Sequence, residues 1–439
     1  MKITFMGAGS SVFVRNIMND CMQLLPEKFE AALYDIDGKR LNESLRIVSP
    51  LNQATGTRAE ITAYCGTERR KAALAGADYV INAVQVGGYK PATVIDFKIP
   101  KKYMLRQTIG DTVGVGGIFR ALRTIPVLDE FAADMDEVCP DALFLNYVNP
   151  MAILTGYLQR YAHPRTLGLC HSVQTCAADL LDGVDMGEHK NECDTLIAGI
   201  NHMAWLLKIT DAKGVDMYPE IKRRSLSPEY KNFHKNDLVR HKLMREFGYY
   251  VTESSEHNAE YSPFFIKPDY PNLIRKYAIP LDEYPRRCRR QISEWKRESR
   301  RSSSKRQTEP KPASKEYAAR IIGAVEKNDA FKFGASVINN GLIANLPKEA
   351  CVEVPVEIDA KGIRPQYIGP LPLQLAAMNA SNIYPQLLAI EAARAKRREL
   401  IYQACFTDPH TAAVLSLDDI KSMCDDLIDA HGGYLPKYK

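Results

Sequence analysis

The sequence predicts an α/β protein, a doubly wound parallel sheet that carries a mixed α+β second half. Three observations predict it. A short apolar segment over residues 2–6 runs into Gly7-Ala8-Gly9-Ser10 and then into an amphipathic stretch from Val12 to Leu24. Strand-length and helix-length apolar segments then alternate to about residue 190, the rhythm of stacked βαβ units. Beyond that point the pattern changes to mixed strands, loops rich in Tyr, Pro and His, and helices.

The elements follow in order. After the opening strand and helix, Ala31–Ile36, Ile61–Cys65, Asp78–Val84, Ala142–Tyr147 and Thr166–Cys170 read as short buried strands. Helical segments at 38–54, 67–75, 118–137 and 151–161 separate them, so the strands are expected to lie parallel. Strands are expected at Thr195–Ile200 and Ala204–Ile209, and helices across 373–406 and 416–430. We expect residues 1–190 to form a dinucleotide-binding domain of the Rossmann type, like that of lactate and malate dehydrogenases. Residues 191–439 should form an α+β substrate, metal and oligomerisation domain packed on the sheet's carboxyl edge, where such folds bind ligands. Residues 299–314, rich in Ser, Pro and charge, read as a mobile basic surface loop.

At 439 residues, 45% hydrophobic and 25% charged, the chain is an ordinary globular one, neither disordered nor collagen-like. No apolar run approaches the roughly 20 residues that span a bilayer. Met1-Lys2-Ile3 leads straight into the first strand, with no room for a signal peptide, so a cytoplasmic, membrane-free protein is expected. The ten cysteines are scattered without metal-knuckle spacing and are expected as free thiols. Residues 286–306 carry ten Lys/Arg against two Glu. No zinc finger, helix-turn-helix or RNA motif accompanies them, so the run reads as solvated surface and not as a nucleic-acid site.

Gly7, Gly9 and Ser10 sit between strand and helix, where absent Cβ atoms let the backbone approach a pyrophosphate and the helix N-terminus offers unpaired N–H groups. Val12 replaces the third glycine of the usual fingerprint. Asp35 ends the second strand, placed to accept from ribose hydroxyls and to repel a 2′-phosphate, which favours NAD over NADP. Asn82 opens the glycine-bearing loop Asn82-Ala83-Val84-Gln85-Val86-Gly87-Gly88 after the fourth strand.

An NAD enzyme that oxidises a secondary alcohol needs a group or metal beside the developing carbonyl oxygen. Asn149, Cys170 and His171 leave strand ends, and His202 follows about thirty residues later. A thiolate with an imidazole can hold a borderline divalent ion; a buried cysteine and an unrelated histidine give the same spacing.

Taken together these residues resemble glycoside hydrolase family 4, the NAD- and manganese-dependent glycosidases, and within it the α-galactosidases. The resemblance rests on Gly7-Ala8-Gly9-Ser10, on residues 110–124 (GDTVGVGGIFRALRT), on Asn146-Tyr147-Val148-Asn149-Pro150-Met151-Ala152, on Cys170-His171-Ser172-Val173, on Ile200-Asn201-His202-Met203-Ala204-Trp205, and on residues 253–261 (ESSEHNAEY). It implies that Cys170 and His202 ligate a divalent metal, usually manganese. Cys-His-Ser-Val looks like the α-galactosidase version of its stretch; phosphosugar-cleaving relatives carry Asp or Asn where His171 stands. Glucosides and uronides remain alternative substrates.

The resemblance further implies a redox route in place of the usual pair of carboxylates. The sugar is oxidised at C3, deprotonated at C2, loses its C1 substituent, takes up water and is reduced again. Tyr261 is the expected base at C2, with Glu256, His257 and Glu260 as local competitors. His171 is the expected acid to the departing oxygen, since an imidazole holds a transferable proton near neutral pH, and Asp111 is the alternative for that role or for sugar hydroxyls. Asn149 is expected at the C2 and C3 hydroxyls and Arg286 either at the sugar pocket or as an exposed cation. A homodimer or homotetramer is expected, with the apolar C-terminal helices as interface. Two rival readings are a hydroxy-acid dehydrogenase, identified by net NADH accumulation, and an NAD or sugar sensor without turnover.

Overall fold

The computed structural model describes residues 1–233, 235–301, 310–314 and 316–439. Six strands make the first half of the sheet: β1 (Lys2–Met6), β2 (Phe29–Asp35), β3 (Ala59–Cys65), β4 (Tyr79–Asn82), β5 (Leu143–Asn146) and β6 (Arg165–Gly168). They run parallel in the order β3-β2-β1-β4-β5-β6, the doubly wound arrangement expected from the alternation of elements. Between them lie α1 (Ser11–Leu24), α2 (Gly38–Ala54), α3 (Arg70–Leu74), α4 (Val94–Lys102), α5 (Gly114–Val138) and α6 (Met151–Tyr161).

Alternate residues of these strands feed two separate cores. Ile3, Phe5, Ile81 and Leu145 pack on one face; Met6, Val80 and Phe144 pack on the other. Both faces of a parallel sheet are covered in this way, which is why its strands read as nearly continuous apolar runs. Register aligns Tyr34, Met6, Asn82, Asn146 and Gly168 in one row at the carboxyl ends, so the loops that follow these strands open along one crevice.

The second half does more than pack on that edge. β10 (Phe331–Ile338) joins β6 antiparallel, and the sheet continues through β11 (Cys351–Asp359), β7 (Asp194–Ile200), β8 (Met203–Thr210) and β9 (Tyr250–Val251), with β12 (Gly362–Pro365) on β11. Among the described residues one mixed sheet of 12 strands therefore joins the two halves of the chain. Its remaining helices are α7 (Ser172–Asp182), α8 (Tyr218–Leu226), α9 (Leu238–Phe247), α10 (Ser255–Glu260), α11 (Asn272–Lys276), α12 (Glu283–Arg301), α13 (Ala318–Lys327), α14 (Leu373–Ala395), α15 (Arg398–Thr407), α16 (Pro409–Ala412) and α17 (Leu417–His431).

The mobile basic loop expected at 299–314 does not hold at either end of that range. Residues 299–301 close α12, residues 302–309 lie outside the described residues, and the segment after them is docked on α1. There the Lys311 carbonyl accepts from Asn19 and Gln23 at 3.0 and 2.7 Å, and the Ser314 amide donates to Asp20 at 2.8 Å. All ten cysteines are free thiols. No helix among the described residues is long and apolar enough to cross a membrane.

Candidate functional site

The glycine turn between β1 and α1 is a cradle that only glycine fits. Gly7 has φ +88°, and a Cβ on it would stand 2.8 Å from the Val84 nitrogen and 2.9 Å from the Ala83 carbonyl. Asp35, at the end of β2, accepts from the Gly9 amide at 2.6 Å and from the Asp37 amide at 2.9 Å. Ser10 occupies the N-cap position of α1 without a side-chain capping bond, so the first amides of the helix favour an anion. Asn82 is fully buried; its Nδ2 donates to Asn146 at 3.0 Å, while its Oδ1 has no partner among the described residues. A closely approached backbone, a carboxylate past the second strand and an unpartnered amide oxygen fit a dinucleotide laid along the crevice.

At the far end of the crevice three donors converge. Cys170 follows β6, His202 sits in the turn between β7 and β8, and Glu253 follows β9. The His202 Nε2 lies 3.3 Å from the Cys170 Sγ and 3.6 Å from a Glu253 oxygen, and all three ligand atoms fall within 4.8 Å of one another. Thiolate, imidazole and carboxylate make a donor set suited to a borderline divalent ion. Two of the three residues are held in the left-handed region, His202 at φ +65° and Glu253 at φ +62°. Such strain costs roughly 1–3 kcal/mol each and collects at working sites.

The His202 turn is held by neighbours. Asn379 of α14 donates to the Met203 carbonyl at 2.7 Å, Asn201 donates to the buried Glu353 at 3.2 Å, and the Tyr261 hydroxyl donates to the Asn201 carbonyl at 3.2 Å.

Electrostatics follow from this crowding. Burial opposes charge on His202, but Cys170 and Glu253 override it and push its pKa up to about 10. Burial likewise opposes ionisation of Glu253, and His257 and His202 pull it down to about 2. Tyr261 is fully buried, with its ring 6.3 Å from that of His202. Burial first, then Asp111, Glu253 and Cys170, push its hydroxyl well above the ordinary tyrosine range. A tyrosine base here needs a cation beside it, and the triangle of donors is where one fits.

The other expected residues fall into place unequally. The His171 Nε2 pairs with Glu316 at 2.8 Å, and this bond chiefly raises the imidazole above its ordinary value. Asp111 is buried and accepts from Thr112 at 2.7 Å and from Asn149 at 3.4 Å. Arg286 is half-exposed and engaged with Glu283 and the Leu281 carbonyl; none of these contacts reaches the cluster. Buried Arg120 reaches Asn149 instead, donating to its carbonyl at 3.0 Å and to the Tyr284 hydroxyl at 3.1 Å. Glu260 anchors the neighbouring loop, accepting from the amides of Thr108, Ile109 and Gly110 at 2.6, 3.3 and 3.0 Å.

Glu253, Arg120 and Glu316 carry parts of this site that no expectation assigned. Glu253 had a usable signal, since it follows the end of a short strand as Asn149 and Cys170 do. Arg120 lies in the stretch 110–124 that carries the resemblance, but within a helix pattern that gives it no role of its own, and Glu316 lies beyond the basic run with nothing local to mark it.

Comparison with known proteins agrees with this architecture. A model described as family 4 glycosyl hydrolase matches residues 2–186, and one described as the family 4 glycosyl hydrolase C-terminal domain matches residues 197–411. The chain is 56% identical over 441 residues to an alpha-galactosidase of Bacillus subtilis (strain 168), covering 100% of both chains. It is 33% identical over 450 residues to an alpha-galactosidase of Rhizobium meliloti (strain 1021), covering 100% of this chain and 89% of that one. In fold it resembles a 6-phospho-alpha-glucosidase from gut microorganisms solved in complex with NAD and Mn2+, with TM-score 0.80, 20% identity, and coverage of 100% of this chain and 99% of that one.

Proposed function

The chain belongs to glycosyl hydrolase family 4, and from that premise we propose that it hydrolyses α-galactosides using bound NAD and a divalent cation, manganese for choice. The observation that carries the reading is the Cys170–His202–Glu253 triangle at the other end of the crevice from the glycine cradle. A hydrolytic pair of carboxylates would flank the sugar with two acids; here a thiol, an imidazole and one carboxylate converge on one point. Galactose as the sugar rests on the full-length relative at 56% identity.

When bound, the dinucleotide supplies a reversible hydride acceptor for C3 of the sugar, and the cation supplies polarisation of the C3 oxygen. The residues do the rest. Gly7, Gly9, Ser10, Asp35 and Asn82 hold the cofactor; Cys170, His202 and Glu253 hold the ion. Asn149, steadied by Arg120 and facing Asp111, hydrogen-bonds the sugar hydroxyls. The Tyr261 oxygen takes the C2 proton. His171 keeps a proton through its bond to Glu316 and delivers it to the departing glycosidic oxygen, with Asp111 completing the sugar pocket. We read the chain as cytoplasmic, where a thiolate ligand stays reduced, and as a homodimer or homotetramer.

Nitrophenyl α-galactoside, α-glucoside and α-glucuronide, each given with NAD, manganese and a thiol reductant, test the proposal. Galactoside turnover that requires both NAD and manganese without NADH accumulating supports it. Preference for the glucoside or glucuronide would overturn the sugar, and NADH accumulating with a hydroxy acid would overturn the reaction.

A further inference from the structure

α12 links the two ends of the crevice. Tyr284, Cys288, Gln291 and Trp295 recur along it at intervals of four, three and four residues, which puts them on one face of a helix. At one end of this face the Tyr284 hydroxyl accepts from Arg120, which also holds Asn149, so this end stands over the proposed sugar site. The helix start is fixed there, with the Asp282 and Tyr284 amides donating to the carbonyls of Gln107 and Thr108 at 2.8 and 3.0 Å. Eleven residues on, about 16 Å along the axis, the Trp295 ring lies 6.0 Å from the Arg40 guanidinium. Arg40 belongs to the cradle's other end, because a Cβ on Gly9 would stand 2.9 Å from the Arg40 Cβ and 2.7 Å from the Asp35 carboxylate. In a doubly wound sheet the adenosine half of a dinucleotide lies past the carboxylate of the second strand. On the opposite flank of α12, Arg289 and Arg297 face Lys90 and Lys98 across an open groove of about 930 Å³, a run of positive potential alongside the path of an anionic cofactor.

We propose that α12 roofs the dinucleotide crevice, and that Trp295 with Arg40 binds the adenosine half of the cofactor, the indole stacking on the adenine. The proposal rests on the NAD reading above. Trp295 is half-buried on a surface helix, whereas Trp205, the chain's other tryptophan, is fully buried in the core. An emission change on ligand binding that disappears when Trp295 is replaced therefore reports on the roof. Replacing it should spare the core.

The test titrates wild type, Trp295→Ala, Trp295→Phe and Arg40→Ala with NAD, 5′-AMP and nicotinamide mononucleotide, by calorimetry and by tryptophan emission. Expected are quenching of wild-type emission by NAD and AMP that is lost in Trp295→Phe, with Trp295→Phe retaining most affinity. Trp295→Ala should weaken NAD and AMP by roughly 10- to 100-fold, the worth of one base on an aromatic ring, and leave the mononucleotide unchanged. Arg40→Ala should weaken the same two ligands. Wild-type NAD binding with no quenching and an unaltered affinity in Trp295→Ala overturns the roof and leaves the cofactor reading intact. Absence of NAD binding by wild type overturns both.

Discussion

Replacing Gly7 by alanine tests the cradle by itself, before any ligand is added. The substitution meets two obstacles. The φ of +88° costs an alanine about 1–2 kcal/mol. The new methyl would also stand 2.8 Å from the Val84 nitrogen and 2.9 Å from the Ala83 carbonyl. These are backbone atoms just past β4, which is paired to β1 through Met6 and Asn82, so they cannot swing aside as a side chain would; forcing them costs about 1–3 kcal/mol more. Gly88 is the control, because its φ is also positive, at +57°, yet a Cβ there meets nothing within 4 Å. Gly88→Ala should therefore lose only the conformational part. Urea unfolding without NAD, at unchanged m-value, should place Gly7→Ala about 1–3 kcal/mol below Gly88→Ala. Calorimetry should show the larger loss of NAD affinity in Gly7→Ala as well. Equal unfolding midpoints for the two variants would refute the close approach and with it the cradle.

Other outcomes follow from the same geometry. Asp96 accepts from Arg123 at 3.1 and 2.6 Å and pairs with His431 at 2.9 Å, all buried; Asp96→Ala leaves that guanidinium uncompensated and should cost about 3–5 kcal/mol of unfolding free energy, whereas a loss below 1 kcal/mol would contradict it. Burial pushes Glu260 up from 4.5 to about 7 against the three amides it accepts. The folded state then keeps its proton longer than the unfolded chain, so stability should fall as pH rises from about 4.5 to 7, by up to about 3 kcal/mol. Glu260→Gln should flatten that part of the profile measured by urea unfolding, and an unchanged slope would assign it elsewhere. Tyr261→Phe should lower kcat by about 10²–10⁴ with NAD and manganese affinities intact, while Cys170→Ser should lose manganese affinity first; normal turnover in Tyr261→Phe would move the base to another group.

The parallel half of the fold was legible because strands buried on both faces read as apolar runs and the glycine turn marks the first crossover. The second half was less so, although its strands carried a signal. In β11 (Cys351–Asp359), Val352, Val354, Val356 and Ile358 alternate with Glu353, Pro355 and Glu357, a period-2 pattern; the antiparallel pairing of the neighbouring β10 to β6 through Ser336 and Gly168 is a tertiary event that no local pattern states. The site divides the same way. Residues that leave strand ends, such as Asn149 and Cys170, announce themselves by position. Arg120 is one of two buried arginines on a 25-residue helix, and only folding brings it to Asn149. Glu253 joins the triangle through a backbone held at positive φ, which a glutamate gives no reason to expect. Arg286 drew attention as a cation near the site's sequence neighbourhood, but Glu283, three residues before it on α12, takes its charge.

In the proposed reaction the glycosidic bond breaks after the C2 proton has been removed, and the hydride returns to C3 before the sugar leaves. Turnover of nitrophenyl α-galactoside in deuterated water, with NAD and manganese present, followed by NMR of the released galactose, tests it directly. Deuterium should appear at C2 of the product, with no net reduction of NAD. Product that carries only hydrogen at C2, released at full rate, would contradict it.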